Sequence, residues 1–154
     1  ERVISVATGH YHTLCVTDKG QVWSFGSNAE GQLGQDGRVG KQETRLPKPV
    51  HGLENVKVTK VAAGAEHSLA LTEDGELYTW GSSSDGRLGF GEKLSFLRAM
   101  FASDTQPIPR RVRPLQGIRI VDIAAGHMHS AVCVALYFVA IASIRLLDHL
   151  SGVR

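Results

Sequence analysis

Residues Gly64 to Gly89 read GAEHSLALTEDGELYTWGSSSDGRLG, and Gly9 to Gly34 read GHYHTLCVTDKGQVWSFGSNAEGQLG. Aligned without a gap, the two stretches share Gly9/Gly64, His12/His67, Leu14/Leu69, Thr17/Thr72, Gly20/Gly75, Gly26/Gly81, Ser27/Ser82, Gly31/Gly86, Leu33/Leu88 and Gly34/Gly89, at a shift of 55 residues. A third copy opens at Gly126 with GHMHSAV, retaining His129, and then leaves the pattern. Self-similarity at this period is the mark of a propeller, solenoid or array, in which each repeat buries its apolar faces only against its neighbours.

Within each copy the periodicity is that of strands. His12, Leu14 and Val16, matched by His67, Leu69 and Leu71, recur at every second residue and so share one face. Thr17-Asp18-Lys19-Gly20 and Thr72-Glu73-Asp74-Gly75 then predict a hairpin turn with glycine at positive φ. The following strand, Gln21–Phe25 or Glu76–Trp80, has apolar side chains on both faces, which predicts cover on both sides. Gly26, Gly31 and Gly34, like Gly81, Gly86 and Gly89, punctuate a loop anchored by one leucine. Lead-in strands ending in small residues, KVTKVAAG and RIVDIAAG, suit an inner position where sheets converge. Beyond the linkers the copies realign at a shift of 62, so the second linker is seven residues longer; Val50 to Val61 and Val112 to Ile123 read as one more strand per unit.

The pattern G-x-x-H-[ST]-x-x-[LV]-T-x-x-G-x-[LV]-[YW]-[ST]-[WF]-G-x-N-x-x-G-Q-L-G closely resembles the repeat of the regulator of chromosome condensation family. The likeness runs from about Arg2 to Cys133, with Ser83 replacing the usual asparagine of the second glycine loop. It implies an all-β fold built of four-stranded propeller blades, here a partial β-propeller of two blades plus an incomplete third. Residues 1–133 divide as about 2–61, 62–123 and a partial 124–133, followed by a divergent apolar tail over 134–154. The family implies a non-catalytic protein-interaction module. Its possible partners are a small GTPase, through guanine nucleotide exchange, or chromatin and ubiquitin-pathway proteins, with nucleic acid reached only indirectly through chromatin proteins. The family also contains the plant ultraviolet-B photoreceptor, which absorbs through clustered tryptophans; this sequence has only Trp23 and Trp80, both at structural positions of the repeat.

Composition narrows the function classes further. Lys and Arg number 17 against 15 Asp and Glu, so the net charge of +2 gives no nucleic-acid footprint. Cys15 and Cys133 fall where the repeat wants small strand residues, which points to a reducing compartment, cytoplasmic or nuclear. His10-x-His12 and His127-x-His129 have the look of zinc ligands, but the middle copy keeps His67 without a companion. A histidine hydrogen-bonded within each blade explains that better. Gly34 to Lys41 fails as a phosphate loop in spacing and lacks the following helix. No catalytic residue, cofactor site or metal site is therefore assigned.

Two segments fall outside the repeat's needs. The long linker carries LSFLRAMF, an apolar run for a loop, and Lys93, Phe96, Leu97, Arg98 and Phe101 are its expected partner contacts. The tail contains AVCVALYFVAIASI, fourteen uncharged residues from Ala131 to Ile144, short of the ~20 a membrane helix needs. It reads as a short helical segment covering a blade face, as a membrane-associated stretch, or as an end altered by truncation or splicing. The N-terminus starts partway through a repeat, as a piece of a longer protein would. Blades with open edges also predict self-association.

Overall fold

The computed structural model describes residues 1–40, 43–91 and 105–134, and the backbone of 138–139. The strands are β1 (Val3–Thr8), β2 (His12–Thr17), β3 (Val22–Ser27), β4 (Glu43–Pro49), β5 (Val58–Ala63), β6 (His67–Thr72), β7 (Leu77–Ser82), β8 (Thr105–Arg111), β9 (Ile120–Ala125), β10 (Ser130–Val134) and β11 (Phe138–Val139). They form three antiparallel sheets in the orders β1-β2-β3-β4, β5-β6-β7-β8 and β9-β10-β11. Each sheet is one blade, so two blades are complete and the third has three strands among the described residues. This is the partial propeller that the repeat pattern predicts.

The outer strand lies elsewhere than expected. β4 and β8 occupy Glu43–Pro49 and Thr105–Arg111, directly before the apolar runs that read as the extra strand. Each carries two prolines, Pro47 and Pro49 or Pro107 and Pro109, which a strand tolerates only at an edge where the missing N–H deprives no neighbour. Val50, Leu53, Val112 and Leu115 belong instead to the connections leading to the next blade, and all four are buried there. Val58, Val61, Ile120 and Ile123 are the first strand of the following blade.

Two apolar clusters hold the blades face to face. Leu14, Val16 and Val22 of the first blade meet Val58, Val61, Ala70 and Trp80 of the second, with Val50 and Leu53 filling the gap. On the other side Leu69, Leu71 and Leu77 of the second blade meet Ile120, Ile123 and Val132 of the third, with Val112 and Leu115. Ordinary transfer energies of about 1.5–3 kcal/mol per buried aliphatic or aromatic side chain make these interfaces the main stabilising term. The middle blade is thus covered on both faces, and every residue of β6 is buried, whereas Thr13 and Cys15 of β2 are only half-buried. Matching positions diverge sharply: Val3 and Val6 are 50% and 59% exposed, but Val58 and Val61 only 1% and 3%.

β1, β5 and β9 lie side by side as the inner strands. Ala62 and Ala63, like Ala124 and Ala125, end these strands where the sheets come together. An ion pair between Lys60 and Asp122 crosses from β5 to β9, and Lys60 holds the Asp122 carboxyl below its ordinary range. In the third blade the ladder continues past Cys133 into the divergent sequence, with Cys133 opposite Phe138 and Val132 opposite Val139. The remainder of the tail, including its helical and membrane readings, lies outside the described residues. Among those residues no helix is long and apolar enough to cross a membrane.

Candidate functional site

The repeat's histidine and serine meet between blades rather than within one. His12 Nε2 lies 3.0 Å from Ser68 Oγ, and that hydroxyl donates to the Gln32 carbonyl at 2.8 Å. The same latch recurs one blade on, where His67 Nε2 lies 3.0 Å from Ser130 Oγ, which donates to the Arg87 carbonyl at 2.8 Å. Trp80 Nε1 also donates to Gln32 O, at 2.8 Å, so that carbonyl receives two donors from the next blade. The acceptor carbonyls sit in the glycine loops. Ser24 Oγ pins the first loop through Leu33 O at 2.7 Å, and Thr79 Oγ1 pins the second through Leu88 O at 2.6 Å.

These bonds determine the tautomer. A serine hydroxyl has one proton, and here it goes to a carbonyl, so Nε2 must be the donor and Nδ1 carries no proton. Nδ1 of His12 and of His67 is buried without a hydrogen-bond partner. Protonation would therefore place an N–H at a buried atom that has no hydrogen-bond partner. Burial lowers the pKa of both rings to about 4, and for His67 the nearby Arg87 cation adds to the effect. Each ring is neutral at physiological pH.

The spacing G-x-x-H has a steric cause. At Gly64 a Cβ would be driven into the His67 ring and towards the Gly126 carbonyl, and at Gly9 into the His12 ring and the Gly64 carbonyl. The glycine is the floor on which the imidazole three residues later lies. At Gly81 the requirement is conformational: φ is +101°, and a Cβ would press on the Glu66 carbonyl. Gly26 repeats that geometry against the Tyr11 carbonyl, with φ of +109°. Gly20 and Gly75 close the β2–β3 and β6–β7 turns, while Gly31, Gly34, Gly86 and Gly89 lie in the glycine loops, all with positive φ. Gly126 faces its own His129, which is exposed.

The two glycine loops are held differently. Asn28 accepts from Leu33 N at 3.0 Å and donates to Arg38 O at 2.9 Å. Ser83 stands in its place in the second loop, where buried Arg87 takes over by donating to Ser84 O at 2.8 Å and to Asp85 at 3.2 Å.

The loops between the first two strands of each blade form a rim on one side. His10 N donates to Ala65 O at 3.2 Å, and Ala65 N donates to His127 O at 3.1 Å, which sets residues 10, 65 and 127 in a row. His10, Tyr11, Glu66, His127 and Met128 are exposed along it. His12 points away from this rim into the blade interface, so His10-x-His12 does not converge on an ion. Among the described residues no three His, Cys, Asp or Glu side chains cluster as metal ligands. Burial pushes the Cys15 thiol pKa up, away from thiolate chemistry. Lys93, Phe96, Leu97, Arg98 and Phe101 lie outside the described residues. Sequence reading missed the serines and loop carbonyls that complete the latch; the one available signal was that a Ser or Thr follows each motif histidine.

The description "Regulator of chromosome condensation (RCC1) repeat" fits residues 19–71 and 74–133, and a second form of the same repeat fits 3–32 and 58–87. Over 137 residues the chain is 38% identical to the human E3 ubiquitin-protein ligase HERC2, covering 88% of this chain and 2% of the ligase. Over 130 residues it is 38% identical to the ultraviolet-B receptor UVR8 of Arabidopsis thaliana, covering 84% and 26%. Prp20p of Saccharomyces cerevisiae, a protein described with binding properties to Gsp1p and histones, superposes with a TM-score of 0.75 at 26% identity, covering 88% of this chain and 32% of Prp20p. Human WBSCR16 superposes at 0.70 and 31% identity, covering 86% and 31%. The chain thus spans between 2% and 32% of the length of these relatives.

Proposed function

The chain belongs to the regulator of chromosome condensation repeat family, and from that premise we propose that it is a non-catalytic protein-interaction module that binds a protein partner through its exposed loops. One observation carries this reading. His12, His67, Ser68 and Ser130, the side chains best suited to acid–base or nucleophilic work, are buried in latches between blades, while the residues that differ from copy to copy, His10-Tyr11, Ala65-Glu66 and His127-Met128, line the rim. A scaffold that is constant inside and variable at its loops is built for recognition. The apolar character of the long linker supports Lys93, Phe96, Leu97, Arg98 and Phe101 as further partner contacts, and the open blade edges allow self-association.

Small GTPases are the first partner class to test, because Prp20p is described as binding Gsp1p. Nucleotide exchange fits a module without catalytic side chains, since a propeller face can act mechanically by displacing nucleotide and magnesium. Chromatin proteins and ubiquitin-pathway proteins come next, and a cytoplasmic or nuclear location fits all three. Light sensing has less support: Trp80 is wholly enclosed and its N–H is held by Gln32 O. The test is release of a fluorescent guanine nucleotide from a panel of small GTPases on adding the chain, beside pull-downs with histones. Accelerated release from one GTPase, lost on substituting Tyr11 and Glu66 together, supports exchange. No acceleration combined with histone capture moves the reading to chromatin, and the absence of both acceleration and histone capture overturns the interaction module in this form.

A further inference from the structure

We propose that His10 and His127 form a two-imidazole site for a divalent transition-metal ion on the loop rim. The two residues are 117 positions apart in sequence, yet their ring centroids lie 5.5 Å apart at an interplanar angle of 76°. A metal–nitrogen bond of ~2.0–2.1 Å places an imidazole centroid roughly 3.2 Å from the ion, so two such ligands at a tetrahedral angle have centroids roughly 5.2 Å apart. The rings already stand at that separation. Both are exposed, and the terminal torsion of histidine turns over a broad range, so each ring can present a nitrogen to the shared ion.

The backbone explains why the rings meet. His10 N bonds Ala65 O and Ala65 N bonds His127 O, so the middle blade supplies the residue between them. That residue is alanine where the flanking blades have histidine, and its methyl leaves the space over it to the two rings. Tyr11 stacks on His10 at 4.6 Å and 20°, which restricts the ring from its other side. Neither His10 nor His127 takes part in the latch, so the blade joint does not need the two imidazoles. Imidazole ligands suit zinc, nickel and copper rather than magnesium or calcium. With two protein ligands the remaining coordination positions are left for water or for a donor group of a bound partner.

Titration calorimetry of the whole chain with Ni²⁺ tests the proposal. One equivalent should bind, and His10→Ala or His127→Ala should each weaken binding at least about tenfold. Ala65→Leu keeps both histidines but places a larger side chain between them, and should weaken binding comparably. His51→Ala, at an exposed histidine paired with Glu54 on the connection between blades, should leave it unchanged. Circular dichroism of each variant separates a lost site from a lost fold, and both rim histidines are exposed enough for their removal to leave the latches intact. Absence of stoichiometric Ni²⁺ binding would overturn the site, and so would binding that survives both the His10→Ala and His127→Ala changes.

Discussion

Acid should loosen the blades through the latch histidines, and the structure sets the size of the effect. His12 and His67 are buried with pKa values of about 4, while in an unfolded chain each returns to 6.5. Between those values the unfolded state binds more protons, so stability is complete above 6.5 and falls as the pH drops toward 4. At pH 4.5 one such ring costs roughly 2–3 kcal/mol of stability relative to pH 7.5. Carboxylates with lowered pKa, such as Asp122 and Glu54, act in the same direction, so the wild-type slope alone is not diagnostic. His67→Gln isolates the latch, because glutamine cannot gain a proton yet keeps an N–H donor for Ser130. Urea unfolding at pH 7.5 and 4.5 should show a pH-dependent loss roughly 2–3 kcal/mol smaller in the variant than in the wild type. An equal loss in both proteins, or an NMR titration of the His67 ring near 6.5, would refute the argument.

Ser68→Ala leaves the His12 N–H without its acceptor and removes one donor from Gln32 O; denaturant unfolding should register a loss of roughly 2–3 kcal/mol, and no loss would show that the latch is idle. Gly81→Ala forces a side chain onto a φ of +101° beside the Glu66 carbonyl, so its thermal melt should fall by the equivalent of roughly 1 kcal/mol or more. An unchanged melting temperature with lost partner binding would assign that glycine to recognition instead. Deleting residues 92 to 104 should abolish capture of a protein partner while leaving the His12 and His67 titrations unaltered; intact capture would reduce the long linker to a tolerated insertion.

Much of the fold was legible because a propeller repeats its instructions. Alternation at His12-Leu14-Val16, the T-x-x-G turns and the apolar faces of Val22 and Leu77 are local signals, and each became a strand or turn of a blade. The fourth strand was misplaced because β4 and β8 hold two prolines apiece and lack alternation, which is the character of an edge rather than a core strand. The motif histidine stood out by its recurrence, but its partner did not. Ser68 is 56 residues from His12, and no local pattern announces a bond that forms only after two blades pack. The imidazole pair on the rim was hidden for the same reason: His10 and His12 are two residues apart in sequence, but His10 lies in the exposed bend before β2 whereas His12 is the first residue of that strand and is buried between blades.

The latch also gives an array of blades a direction. Each blade offers a histidine hook forward and a Ser or Thr eye backward, so two faces of the same kind cannot engage; the joint forms only head to tail. Thr13 is the eye on the first blade and His129 the hook on the third. A linear run of such blades is therefore polar, with unlike ends, and chains joined through this latch would associate head to tail, closing into a ring only where the rotation between them allows it. Copying a blade and inserting it anywhere in the series leaves every hook facing an eye, which makes blade number the easiest quantity for such a protein to change and blade orientation the hardest.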